Sequence, residues 1–157
     1  MARGFWQVVD AWLAFVEAST PLIPEELPQL VRLLDELAVT LPPWGGELPA
    51  SDDDPPGRDA GARREALCAR FPDFGFYRVV VPAEPDDGGD DGAVTLGDAV
   101  DDLLDITSDL LDARWYREHG AAGDGERCAG ELFHYHWGRH LRDLQSYLHR
   151  RQHEARG

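Results

Sequence analysis

ELFHYHWGRHLRDLQSYLHRRQH, residues 131–153, is the stretch on which the fold turns. At about 100° per residue, Phe133, Trp137, Leu144 and Leu148 recur on one side of an α-helix. The spacing predicts a long last helix, from about Glu126 to Glu154, that closes the core. Arg150, Arg151 and Arg156 at its end suit the negative pole of the helix dipole. The same stretch holds five of the six histidines of the chain. His140 falls inside the apolar stripe, with His136 on one edge and His134 on the other.

Working outward, Leu96, Ala99, Val100, Leu103, Ile106, Thr107, Leu110, Leu111 and Arg114 share one side of a helix predicted over Thr95 to about His119. Thr95 is its expected N-cap. Asp98, Asp102, Asp105, Asp109 and Asp112 repeat on the opposite side, which predicts a solvated acidic face. Residues 120–126 turn the chain into the last helix. Further upstream, Phe5, Val8, Val9, Trp12, Phe15 and Val16 form the stripe of a helix over about 4–18. Leu27, Leu30, Val31, Leu34, Leu37, Ala38 and Leu41 form that of a second, which ends at Pro42-Pro43. A short helix is expected over Gly61 to Phe71.

Between these lie three other segments. Residues 42–61 are rich in Pro and Gly without periodicity and read as a flexible loop, with Trp44 able to dock it. FGFYRVVV, residues 74–81, is aromatic and β-branched and reads as extended chain with no evident partner strand. Residues 82–94 read as a flexible acidic loop. The aspartates within it lack the spacing of an EF-hand calcium loop. The expected architecture is an all-α single domain over 1–157: a four- to five-helix bundle with one short extended segment.

The chain has 157 residues, a net charge of −15 and neither Lys nor Asn. Residues 1–113 carry 24 acids against 7 arginines, whereas residues 114–157 carry 6 acids against 8 arginines. So acidic a chain repels nucleic-acid phosphates and anionic membranes, and both are excluded as expected partners. The N-terminal apolar run is broken by Gln7, Asp10 and Glu17, and no stretch is long and apolar enough to span a bilayer. Two cysteines, Cys68 and Cys128, without a CxxC pattern fit a reducing cytoplasm.

One constellation can carry chemistry. His136 and His140 are four residues apart, so both rings can reach one point, the spacing with which helices bind zinc and other divalent metals. Glu131 and His134, three apart, match the Glu-x-x-His element of di-iron bundles, but they lie on the other flank and cannot share the same ion. Two histidines are too few for a site, so a carboxylate of the acidic helix, Asp105 or Asp109, is needed to complete it. Without metal, His140 reads as a core histidine with a hydrogen-bond partner, and His136 as paired with an acid such as Asp143 or one across the interface. Gly138 inside a helix costs about 1 kcal/mol relative to alanine, and close approach of another backbone is its expected reason.

Three segments, FGFYRVVVP (74–82), LGDAVDDLLDITSDL (96–110) and FHYHWGRHLRDLQSYLH (133–149), resemble a bacterial family catalogued as domain of unknown function 5063. The resemblance implies a small, mostly helical cytosolic protein without assigned catalytic residues. The matching positions are Asp101, Asp102, Asp105, Asp109, His136, Trp137, Gly138, Arg139 and His140. Thr107 and Ser108 stand where the family has a Tyr-Arg pair, and the recurrence of the aspartates in the family pattern implies that Asp105 and Asp109 can pair with Arg139 or the histidines instead of facing solvent.

Three readings of function follow. The first is a non-catalytic binding or regulatory module whose acidic surface meets a basic protein partner. The second is a metal-binding or metal-dependent bundle using His136 and His140. In the third, the His-Trp-Gly-Arg-His segment, with Trp137, Gly138 and Arg139, only locks the bundle. No nucleophile elbow, P-loop, dinucleotide fingerprint or zinc ribbon points to an enzyme.

Overall fold

A computed structural model describes residues 1–80 and 94–154. In chain order the elements are α1 (Phe5–Val16), α2 (Leu27–Thr40), α3 (Ala60–Arg70), β1 (Phe76–Val80), β2 (Val94–Asp98), α4 (Ala99–His119), α5 (Asp124–Leu132) and α6 (Gly138–Glu154). A single π-helical turn, Phe133–Trp137, joins α5 to α6 into one bent rod. The fold is mostly helical, as the periodicities require, with a small two-stranded antiparallel sheet.

At the centre is α4, which packs on α1, α3, α5, α6 and the π turn. Leu103, Ile106, Leu110 and Ala113 are sealed off from solvent on its apolar side. They meet Val8, Val9 and Trp12 of α1, Leu30, Leu34 and Leu37 of α2, and Trp137, Leu141, Leu144 and Leu148 of the last rod in one core. Each enclosed indole finds an acceptor, as burial of a polar N–H demands: Trp12 donates to the Thr107 hydroxyl and Trp137 to the Ala129 carbonyl, each at 3.1 Å. Arg70 at the end of α3 is buried too. Its guanidinium donates to the carbonyls of Phe15 and Thr20 and to the Glu26 carboxylate, which ties α1, the start of α2 and α3 together.

The extended segment does have a partner. β1 pairs with β2 in the register Phe76↔Asp98, Tyr77↔Gly97, Arg78↔Leu96. This corrects two expectations at once. The fourth helix starts at Ala99 rather than Thr95, capped by Asp98, whose side chain accepts from the Val100 N–H at 2.9 Å. Leu96 leaves the helical stripe and is exposed on the hairpin. The reason is backbone satisfaction: an isolated strand leaves its N–H and C=O groups unpaired, and pairing outweighs one more turn of helix.

The loop before α3 lacks regular structure but is fastened at several points. Trp44 packs against the rings of His134 and Tyr135. The backbone N–H groups of Ala50 and Ser51 donate to the fully buried Asp124 carboxylate. Arg58 pairs with Asp112. Of the second expected loop, residues 82–93 lie outside the described residues. No helix among the described residues is long and apolar enough to cross a membrane.

Candidate functional site

The acidic side of α4 is not a solvated face. The π turn and α6 cover it, leaving Asp102 only 4% and Asp109 only 8% exposed. The helical wheel found the apolar side of α4 correctly, but a wheel drawn on one helix cannot reveal a neighbour that brings its own histidines. Buried carboxylates need partners, and here the partners are the two histidines four residues apart.

His136 Nδ1 lies 2.7 Å from Asp109 Oδ2, and His140 Nδ1 lies 2.8 Å from Asp102 Oδ1. An ionised carboxylate only accepts, so each Nδ1 carries the proton. That fixes both rings and leaves both Nε2 atoms for another purpose. His140 Nε2 is 3.2 Å from Asp105 Oδ2. The two rings stand with centroids 4.9 Å apart, at 72° to each other.

Asp102 is held in turn from the hairpin, because the Tyr77 hydroxyl donates to its second oxygen. Tyr77 reaches it by lying flat across Gly97, its cross-strand partner. A Cβ at position 97 would come within 2.5 Å of the Tyr77 ring, so only glycine fits beneath it. The ring of Tyr147, 5.1 Å away, supports the other side.

Alignment of the histidines also depends on the π turn. The Gly138 N–H reaches back five residues to the Phe133 carbonyl, which puts one extra residue into that turn. It lets α5, anchored by Asp124, and α6, anchored by its leucines, each keep its own packing while His136 and His140 both face α4. Gly138 is explained by its own helix rather than by a neighbouring one: a Cβ there would sit 2.2 Å from the Phe133 carbonyl oxygen.

Burial and pairing shift the protonation of this cluster. The Asp102 hydrogen bond, helped by the field of Asp105, raises the His140 pKa against the opposing effect of burial. Burial pushes Asp109 up to about 6, despite its bond to His136. Tyr77 is pushed up by burial and by Asp102, and keeps its proton as a donor. In both shifted acid–base groups the folded chain holds a proton that the unfolded chain has released. For Asp109 this occurs between the ordinary 3.8 and about 6. For His140 it begins at the ordinary 6.5 and extends upward. Stability from these groups is therefore present at the acid side of each window and lost as pH rises through it. Thermal melts in chelator should show the melting temperature falling as pH rises from about 4.5 through 6 and falling again above 6.5, at about 2–4 °C per kcal/mol for a chain of this size. Asp109→Asn should remove its share below pH 6. A melting temperature that climbs over the same range contradicts the assignment.

All four expected site residues, Asp105, Asp109, His136 and His140, come together. Asp105, His136 and His140 each offer a ligand atom, and these lie within 4.8 Å of one another. Two ligands on one ion at about 2.1 Å are at most about 4.2 Å apart. His136, with 44% of its side chain exposed, has room to move by that difference while keeping its Asp109 bond. His134 packs against Trp44, its ring tilted by 40°, and neither it nor Glu131 belongs to this group of close ligand atoms. Trp137 is core, and Arg139 lines an adjoining cleft. Asp143 lines that cleft too but is not the partner of His136. Asp102 and Tyr77 are the additions. The aspartate repeat contained Asp102, whereas nothing in the spacing linked it to Tyr77, 25 residues earlier.

No family model and no curated protein matches the chain. Among solved structures, it is similar to the crystal structure of protein BF1032 from Bacteroides fragilis, a Northeast Structural Genomics Consortium target. The TM-score is 0.66 at 20% identity, over 92% of this chain and 87% of that one. The likeness is one of fold.

Proposed function

We propose that this protein binds one divalent transition-metal ion through Asp105, His136 and His140, and that the metal keeps coordination positions open for a small ligand. The observation that carries this reading is the carboxylate bonded behind each histidine. Each histidine is held at Nδ1 by its own buried carboxylate, Asp109 for His136 and Asp102 for His140, so that each presents Nε2. Metal-ligating histidines are commonly oriented in this way, because the outer carboxylate fixes the tautomer and makes the free nitrogen more basic. Two histidines and one carboxylate are the facial set that leaves sites free on iron and related ions, and zinc with three protein ligands likewise keeps an open position. A metal so held can polarise a bound water or carbonyl oxygen.

A second reading rests on the same cluster without metal. A protonated His140 would donate to Asp102 and Asp105 together and clamp α4 to α6 as an ion-pair lock. The net charge of −15 supports a third, capture of a basic protein partner in a salt-sensitive complex. The carboxylate behind each histidine favours the metal. The test is titration of untagged, metal-stripped protein with cobalt(II) and zinc. One equivalent per chain is expected, with a cobalt d–d spectrum, and His136→Ala should lose both. Absence of uptake at micromolar metal, or unchanged uptake in that variant, would sink the proposal.

A further inference from the structure

We infer that the open face of this metal serves a ligand with a metal-coordinating head and an uncharged, apolar tail. The inference rests on the metal reading above and adds the class of molecule the site takes.

A cleft of about 430 Å³ runs between the hairpin and the α4–α6 pair. Asp102, Asp105 and His140 line it, so two of the three proposed ligands face this space rather than bulk solvent. A molecule coordinating the metal from the cleft must extend along the hairpin. There it meets Phe76 and Leu96, on one face of the hairpin and 69% and 68% exposed. Large apolar side chains this open, beside a polar floor, gain by being covered.

Charge sets the second requirement. Asp98, Asp101 and Asp143 line the cleft as well, against the single guanidinium of Arg139. Arg64 bonds both Asp98 and Asp101 from outside the cleft, and Asp143 is left beside Arg139 and Asp102. A tail ending in a carboxylate or phosphate would be repelled by this lining, whereas an alkyl or aryl tail meets the hairpin without an electrostatic cost.

Simple hydroxamates test this, since the head binds metal and the tail can be varied. Calorimetric titration of the zinc-loaded full chain would compare acetohydroxamate, octanohydroxamate and the octano compound carrying a terminal carboxylate. Octanohydroxamate should bind about tenfold or more tighter than acetohydroxamate, because the tail leaves water. The terminal carboxylate should cancel that gain. Leu96→Asp, and separately Phe76→Ser, should reduce the octano compound towards the acetohydroxamate affinity while zinc stoichiometry stays at one. Equal affinities for the two uncharged probes, or a gain indifferent to both variants, overturns the inference while leaving the metal reading intact. If the chain takes up no zinc, both fall together. Tail-dependent binding to the metal-free chain would also overturn it, because the head would then have no part.

Discussion

His140→Ala is expected to abolish metal binding and to loosen the junction of α4 with α6, through two separable effects. Its Nε2 is one of the three proposed ligands, and a two-ligand remnant cannot hold a divalent ion at micromolar metal. The loss should therefore exceed the roughly 10–100-fold that removing an outer-shell partner costs. Asp102→Asn, which leaves Nε2 in place but weakens its orientation, should fall within that smaller range. Stability responds differently. Without the imidazole, Asp102 keeps the Tyr77 hydroxyl but loses its cationic partner while 4% exposed. Leaving such a group under-satisfied costs about 1–3 kcal/mol. The metal-free melting temperature should thus fall by several degrees, at about 2–4 °C per kcal/mol. In the wild type, saturating metal at about 100 times Kd should add roughly 2.7 kcal/mol, and in His140→Ala it should add nothing. The pair of readouts divides the two accounts of the cluster. A variant that melts lower but whose parent never responded to metal speaks for the ion-pair lock. One that keeps a full equivalent of metal removes His140 from the ligand set.

What could be read from the sequence follows from what periodicity measures. The stripes of α1 and α4 report which side of a single helix is apolar, and Val8, Val9, Trp12, Leu103, Ile106 and Leu110 are all sealed off as those stripes require. The i,i+4 spacing of His136 and His140 is local as well and survives the π turn. The repeat of Asp102 and Asp109 is visible, and the wheel alone places both in solvent even though the metal reading draws on Asp109, because their burial depends on the π turn and α6 arriving from later in the chain. Pairing of β1 with β2 joins strands separated in sequence by residues 81–93, and the five-residue strand Val94–Asp98 reads as the first turn of a helix when taken alone. Its one local sign was Gly97, a poor helix former directly before a good N-cap in Asp98. Once the chain is folded, three separate stretches share one neighbourhood. The described part of 74–82 supplies Tyr77, 96–110 supplies Asp102, Asp105 and Asp109, and 133–149 supplies both histidines. Their scatter along the sequence hid a single site.

Gly138→Ala should then lower stability and metal affinity together, although in an ordinary helix the same change would raise stability. Position 138 has helical dihedrals, φ −62° and ψ −38°, so alanine meets no backbone strain and would be favoured by about 1 kcal/mol on propensity alone. The obstacle is the Phe133 carbonyl oxygen, which the π turn brings to 2.2 Å from the new methyl carbon. Forced overlap in a packed interior costs about 1–3 kcal/mol, enough to reverse the sign of the propensity gain. Relief by tightening the turn to regular α-helix is open only at a price in register: expelling the extra residue rotates α5 against α6 by about 100°. Trp137, Leu141 and Leu144 hold one side of the junction, and Asp124 with its four donors holds the other. Both cannot stay packed, and whichever yields, His136 and His140 no longer face Asp109 and Asp102 together. A melt should show a drop of a few degrees and a cobalt titration a weakened or heterogeneous site. If Gly138→Ala melts at or above the wild-type temperature and binds cobalt with an unchanged spectrum, then the π turn neither requires this glycine nor sets the histidine geometry, and the site owes its alignment to the aspartates alone.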